Sequence, residues 1–220
     1  MTTTLKIDFV SDVSCPWCAI GLSALEQALQ RMAGEVKAEL HFQPFELNPS
    51  MPPGGQDITE HLTQKYGTTP EQQAEAREAI RQRGAELGFA FRMEGRDRIY
   101  NTFDAHRLLH WAGLPSTRPV GRQTALKKAL LKAYFTDGES PESHELLLRL
   151  CGEVGLDVAV AGDILSGSEY AAEVRERERL YTGSGINSVP AVIVNDKYLI
   201  SGGQPVEVFE QALRKIAHGD

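Results

Sequence analysis

In Leu5-Lys6-Ile7-Asp8-Phe9-Val10-Ser11-Asp12-Val13-Ser14-Cys15-Pro16-Trp17-Cys18 a strand signal runs straight into a pair of cysteines. Leu5, Ile7 and Phe9 alternate with Lys6 and Asp8, the two-residue period of a short strand. Beyond the cysteines, Leu22, Leu25, Leu29 and Met32 recur at helical spacing until Gly34 ends the run. Val36, Ala38, Leu40 and Phe42 then alternate with Lys37, Glu39, His41 and Gln43, and Pro44 closes a second strand. Strand, helix, strand is therefore expected over residues 1–45. A crossover of that kind makes the two strands parallel, with a right-handed connection.

Residues 46–183 change character, opening on the turn-rich Asn48-Pro49-Ser50-Met51-Pro52-Pro53-Gly54-Gly55. Thr69-Pro70-Glu71-Gln72 combines an N-cap, a proline at the first helical position and a capping-box glutamine. Ser140-Pro141-Glu142 reads as another helix start, with Leu146, Leu147, Leu150 and Val154 as its apolar face and Gly155 as its stop. Glu169 to Tyr181 is densely charged and reads as a long, largely solvated helix. No strand and no repeat stands out, so the block is expected to be all-helical.

Strand chemistry returns near the end. Ala191-Val192-Ile193-Val194 and Lys197-Tyr198-Leu199-Ile200 flank an Asn195-Asp196 turn, and Gly202-Gly203 breaks the chain before Pro205 opens a last helix. Val206, Phe209, Leu213 and Ile216 form that helix's buried stripe. The expected architecture is α/β, with β-α-β from 1–45 and β-β-α from 184–220 sharing one mixed four-stranded sheet. A helical insertion domain, 46–183, connects the second strand to the third.

The chain has 220 residues, 41% of them hydrophobic, enough for a sizeable core. A net charge of −7 speaks against a nucleic-acid partner or an anionic membrane surface. Met1 to Phe9 lacks the basic and apolar regions of a signal peptide, and no apolar run approaches spanning length, so a cytoplasmic protein is expected. Three cysteines, Cys15, Cys18 and Cys151, are too few for a disulfide framework and shift attention to redox or metal chemistry.

A structural zinc site needs four ligands, and no second cysteine pair accompanies Cys15 and Cys18. Their place between a strand and a helix start fits a redox pair better. The free N–H groups and positive dipole end of a helix N-terminus favour a thiolate. Cys15 is then the attacking sulfur, exposed at the helix end, and Cys18, one turn in and more covered, is the resolving thiol. Pro16 suits the first helical position, while Trp17 covers part of the pair, meets substrate, or is simply a partly exposed aromatic. No metal and no cofactor are called for. Far downstream, Pro190 opens the apolar strand, a role that by itself needs only a trans bond.

The chain resembles the DsbA-like branch of thioredoxin-fold oxidoreductases, in particular the FrnE-type proteins. The resemblance rests on Ser14-Cys15-Pro16-Trp17-Cys18, Phe45-Glu46-Leu47-Asn48-Pro49, Asn101-Thr102-Phe103-Asp104-Ala105-His106-Arg107-Leu108, Ser188-Val189-Pro190 and Gly202-Gly203-Gln204-Pro205. It implies a thioredoxin fold, a thiol–disulfide oxidoreductase or isomerase, and protein or small-molecule thiols, glutathione included, as substrates. It also implies a cis Pro190 facing the cysteines and a Val189 backbone offered to an extended substrate. His106 and Arg107 would line the groove, or His106 is simply hydrogen-bonded between packed helices. The second cysteine pair of some FrnE-type proteins has no counterpart after Cys151, which reads as an inert packed thiol. Asp8 and Asp12 read as solvated or capping residues. Two other functions compete: a glutathione-dependent isomerase like 2-hydroxychromene-2-carboxylate isomerase, whose family typically has serine where Cys15 stands, and a zinc-binding or holdase-like module.

Overall fold

In the computed structural model, which describes residues 2–92, 96–117, 119 and 121–219, the leading strand β1 runs Thr3–Ser11 and feeds helix α1, Pro16–Arg31. Strand β2, Val36–Pro44, returns parallel to β1 with Ile7 opposite Leu40. Next come β3 (Gln56–Asp57), α2 (Ile58–Tyr66), α3 (Pro70–Glu86), β4 (Arg98–Ile99), α4 (Phe103–Gly113) and α5 (Arg122–Lys132). A π-helical turn, Ala133–Asp137, extends α5 before α6 (His144–Glu153), α7 (Val158–Ser166) and α8 (Ala171–Gly183). The chain closes with β5 (Ala191–Val194), β6 (Tyr198–Ser201) and α9 (Val206–His218). Among the described residues the main sheet has four strands in the order β2-β1-β5-β6, with β5 antiparallel to both its neighbours. No helix among them is long and apolar enough to cross a membrane.

The two-residue period places Leu5, Ile7 and Phe9 on one face of β1, all fully buried. They pack with Ile20 and Leu25 of α1 and Phe209 and Leu213 of α9. Each such side chain contributes roughly 1.5–3 kcal/mol by leaving water. The β5–β6 turn holds Asn195 and Asp196 at φ 53° and 57°, the left-handed pair that a two-residue hairpin needs.

Two features of the middle segment depart from the sequence-based expectation. It carries a strand pair: β3 and β4 form a two-residue antiparallel ladder, too short to leave a periodic pattern. Gly55, at φ 69°, makes the ladder possible, because a Cβ there would fall 2.2 Å from the Ile99 carbonyl oxygen. Helix α6 starts at His144, not after Ser140, because Ser143 is its N-cap, accepting from the Leu146 N–H, while Ser140 and Ser143 close a turn. The segment's apolar side chains also reach the sheet. Leu131, Tyr134 and Phe135 join the cluster that contains Cys15, Cys18 and the β1 face, whereas Val13 joins the cluster of α4 to α7.

Candidate active site

The site begins with how α1 starts. Cys15 is the N-cap residue in extended conformation, Pro16 follows at the first helical position, and Cys18 closes the first turn, its N–H donating to the Cys15 carbonyl at 3.1 Å. This brings Cys15 and Cys18 to 3.5 Å from each other, both as free thiols. The fold carries Val189 and Pro190 to the same point from the far end of the chain. The Val189–Pro190 bond is cis, and the Cys15 thiol donates to the Val189 carbonyl at 3.6 Å. The Gly202 N–H donates to the Pro190 carbonyl at 2.8 Å and fixes the loop against β6. Gly203 lies under the start of α1, where a Cβ would stand 3.0 Å from the Trp17 carbonyl oxygen.

Cys15 is less open than a thiol at a helix end is expected to be. It is 4% exposed and belongs to the main core cluster, against which Leu47 and Val189 also pack. Cys18 is fully buried. Burial foremost, then the hydrogen bond and charge of Cys15, push the Cys18 thiol well above the usual thiol range, while Lys127 pulls the other way. Trp17, between the two cysteines, is 43% exposed. Cys151 is buried in the second core, its thiol pushed up to about 12 by burial, as an inert packed cysteine should be.

Beneath the pair lies a charged group that the sequence reading assigned to the surface. Asp12 is buried, not solvated, at the exit of β1. Its Oδ1 accepts from the Ser14 N–H at 3.2 Å, and its Oδ2 accepts from the Ser14 hydroxyl at 2.9 Å and the Leu47 N–H at 2.7 Å. Asp12 does not cap α1 either: the N-cap is Cys15, and no side chain caps that end of the helix. His106 Nε2 stands 3.4 Å from Oδ1, a charge-pair distance without hydrogen-bond alignment. Burial by itself would raise Asp12; His106, the Leu47 N–H and Lys127 outweigh it and hold the carboxyl at about 2. Asp8 is buried too, accepting from the Gln43 amide at 2.5 Å with Lys6 Nζ 3.1 Å away.

His106 does not line a groove. It is 2% exposed and turned toward Asp12, so substrate contact is not what its position offers. Arg107 is buried as well, its guanidinium spent on the carbonyls of Ile164, Gly167 and Glu169 and on Asp104. Lys127, the remaining buried cation here, was missed. It occupies a core-facing position of α5 beside Gln123, Leu126, Leu130 and Leu131. The signal for it was present, since a lysine on an apolar stripe is unusual.

Asp12 sets a pH dependence. Its folded value lies below its ordinary 3.8, so its contribution is whole above that value and is lost as pH falls toward 2. A shift of this size corresponds to about 2 kcal/mol. Asp12→Asn should cost about that much at neutral pH and flatten the acid limb of stability, read by urea unfolding at a series of pH values.

The comparisons agree with this geometry. Residues 6–214 match the family described as the DSBA-like thioredoxin domain. The probable DsbA oxidoreductase of Streptomyces coelicolor is 35% identical, with 98% of this chain and 91% of that chain covered and a TM-score of 0.87. The uncharacterized protein YwbO of Bacillus subtilis is 26% identical over 211 residues, 96% of each chain. DsbM of Pseudomonas aeruginosa, a cytosolic disulfide reductase solved with glutathione, shares the fold at 19% identity and a TM-score of 0.65, with 97% of this chain and 99% of that chain covered. Sheet order, helix start and whole-chain likeness converge: the chain belongs to the DsbA-like thioredoxin domain family.

Proposed function

We propose that the protein is a thiol–disulfide oxidoreductase or isomerase that works through the dithiol of Cys15 and Cys18. One observation carries the reading: the Cys15 thiol at the mouth of α1 is hydrogen-bonded to the Val189 carbonyl, with Cys18 3.5 Å behind it. In the first step the Cys15 thiolate attacks a substrate disulfide, one substrate sulfur leaves as a thiolate, and a mixed disulfide forms. In the second, the Cys18 sulfur attacks Cys15 Sγ, the Cys15–Cys18 bond forms, and the other substrate sulfur leaves. The substrate disulfide is reduced by two electrons and the dithiol oxidised by two, and the reverse sequence oxidises a substrate dithiol.

Val189 and Pro190 serve as the docking edge for an extended thiol-bearing segment, and the ring of Trp17 supplies apolar contact beside it. Pro16 sets the first helical turn and so the reach of Cys15. Proteins and small thiols, glutathione among them, are the substrate classes, a reading supported by the exposed Trp17 and by the glutathione complex of DsbM. The scarcity of cysteines supports a cytoplasmic setting and the FrnE-type branch motifs support membership of that branch. A glutathione-dependent isomerase is disfavoured by the intact cysteine pair. A zinc-holding module is disfavoured because no three His, Cys, Asp or Glu side chains gather as ligands among the described residues.

The test is equilibration of the chain with mixtures of reduced and oxidised glutathione, followed by acid quenching and mass analysis. A loss of two hydrogens that follows the square of reduced over oxidised glutathione supports the reading. Cysteines that stay reduced, or carry only glutathione adducts across the whole range, oppose it.

A further inference from the structure

Glu46 lies just beyond the end of β2, and its side chain is buried against α8. Arg175 Nη1 of α8 donates to Glu46 Oε2 and, at 2.8 Å, to Glu178 Oε2. The guanidinium carbon sits 3.9 Å from the centre of the Phe103 ring of α4. Two carboxyl groups thus share one guanidinium nitrogen, which makes them close neighbours. Their other oxygens, Glu46 Oε1 and Glu178 Oε1, are buried and have no hydrogen-bond partner among the described residues. Were both groups ionised, one cation would face two anions, and two buried acceptors would lack a donor. A single proton removes both faults, because a protonated carboxyl is neutral and is itself a donor. We propose that Glu46 and Glu178 keep one proton between them up to neutral pH, and that this proton clasps the exit of β2 to α8.

Glu46 is the one that holds it, since its side chain is 1% exposed and that of Glu178 is 12%. Burial first, then the charge of Glu178, push the Glu46 carboxyl up to about 7, against the pull of Arg175. Above that value the proton goes to solvent and the cluster passes from zero charge to minus one. The folded value lies above the ordinary 4.5, so the stabilisation is whole below 4.5 and is lost as pH rises through about 7. The charged groups facing Glu46 are Arg175 and Glu178 of α8, while α4 presents the Phe103 ring. Beyond Leu47, whose N–H donates to Asp12, come the Asp12 carboxylate at the exit of β1 and the His106 ring of α4. The clasp joins two segments that reach the dithiol, whatever the dithiol acts on. Glu46 precedes Leu47, and α8 runs on through residues 184–188 to Val189; Leu47 and Val189 both pack on the core that holds Cys15.

The test follows the Glu46 side-chain carboxyl of the full-length protein by carbon-13 NMR, assigned through its backbone amide. A midpoint near 7 is expected, and a midpoint in the ordinary glutamate range overturns the proposal. Glu178→Gln, which leaves Glu46 alone with Arg175, should lower that midpoint by about one pH unit or more. An unchanged midpoint also overturns the proposal. Thermal unfolding of Glu46→Gln supplies a second arm, because the amide imitates the protonated carboxyl and cannot lose its proton. Between pH 5 and pH 8 the melting temperature of the variant should gain about 5 °C or more on the parent's. A difference that stays constant, or that turns against the variant as pH rises, marks an ordinary ion pair and overturns the proposal. Should Glu46→Gln not fold, the two NMR midpoints decide alone.

Discussion

Cys15→Ser should lower the turnover of a model disulfide peptide by roughly 10³-fold or more, because a serine hydroxyl at this position has no base to activate it and cannot form the mixed disulfide. The neighbouring Cys18 does not take over. It is fully buried, and its thiol is pushed well above the usual range, by burial first of all. Cys18→Ser should fail differently. The first step survives and the second has no intramolecular nucleophile, so the enzyme stalls after one exchange. Cys151→Ala touches neither step, since that thiol lies in the second core away from the pair. Stopped-flow measurement of the first exchange, beside steady-state turnover, separates the variants. A Cys15→Ser variant that keeps a tenth of its turnover would remove Cys15 from the chemistry.

The second large effect comes from a missing side chain. In an exposed helix, glycine to alanine is stabilising by about 1 kcal/mol. Gly21→Ala should do the opposite, because the added Cβ would lie 2.9 Å from Pro190 Cγ and 3.3 Å from Gly203 Cα. Neither neighbour is a flexible side-chain end, so α1 and the Pro190 loop must separate. Overpacking of this kind is destabilising by about 1–3 kcal/mol. The same displacement carries the Val189 carbonyl away from the Cys15 thiol, and misplacement on that scale can slow exchange by up to about 10²-fold. Urea unfolding and exchange kinetics on one preparation check both effects. A variant that is more stable and fully active would show that the close approach of α1 to the loop is unimportant.

The outer frame of the fold was legible because its signals are local and strong. Alternation in β1 and β2, the Leu22-Leu25-Leu29-Met32 stripe and the Asn195-Asp196 turn each specify one element, and the crossover rule does the rest. The cysteine pair was legible for the same reason: four consecutive residues carry it. What sequence spacing leaves out is burial set by distant segments. Asp12 looks like a loop carboxylate until Leu47 and His106 close over it from β2's exit and α4. His106 has two readings in the sequence, a groove residue or a histidine between packed helices, and the same packing buries it. Lys127 reads as one of many helix lysines until its place on the apolar stripe of α5 is noticed. The β3–β4 ladder was hidden by its two-residue length, and the α6 start by a stronger-looking Ser-Pro-Glu three residues upstream of the real cap.

The division of labour between the two sulfurs is the centre of the account, and trapping tests it most directly. Cys18→Ser is incubated with a disulfide-bonded model peptide, quenched with acid, digested and analysed by mass spectrometry. The account predicts one stable mixed disulfide per chain, located on Cys15 and released by added reductant. An adduct on Cys151, or no adduct while the parent protein still turns over, would contradict it.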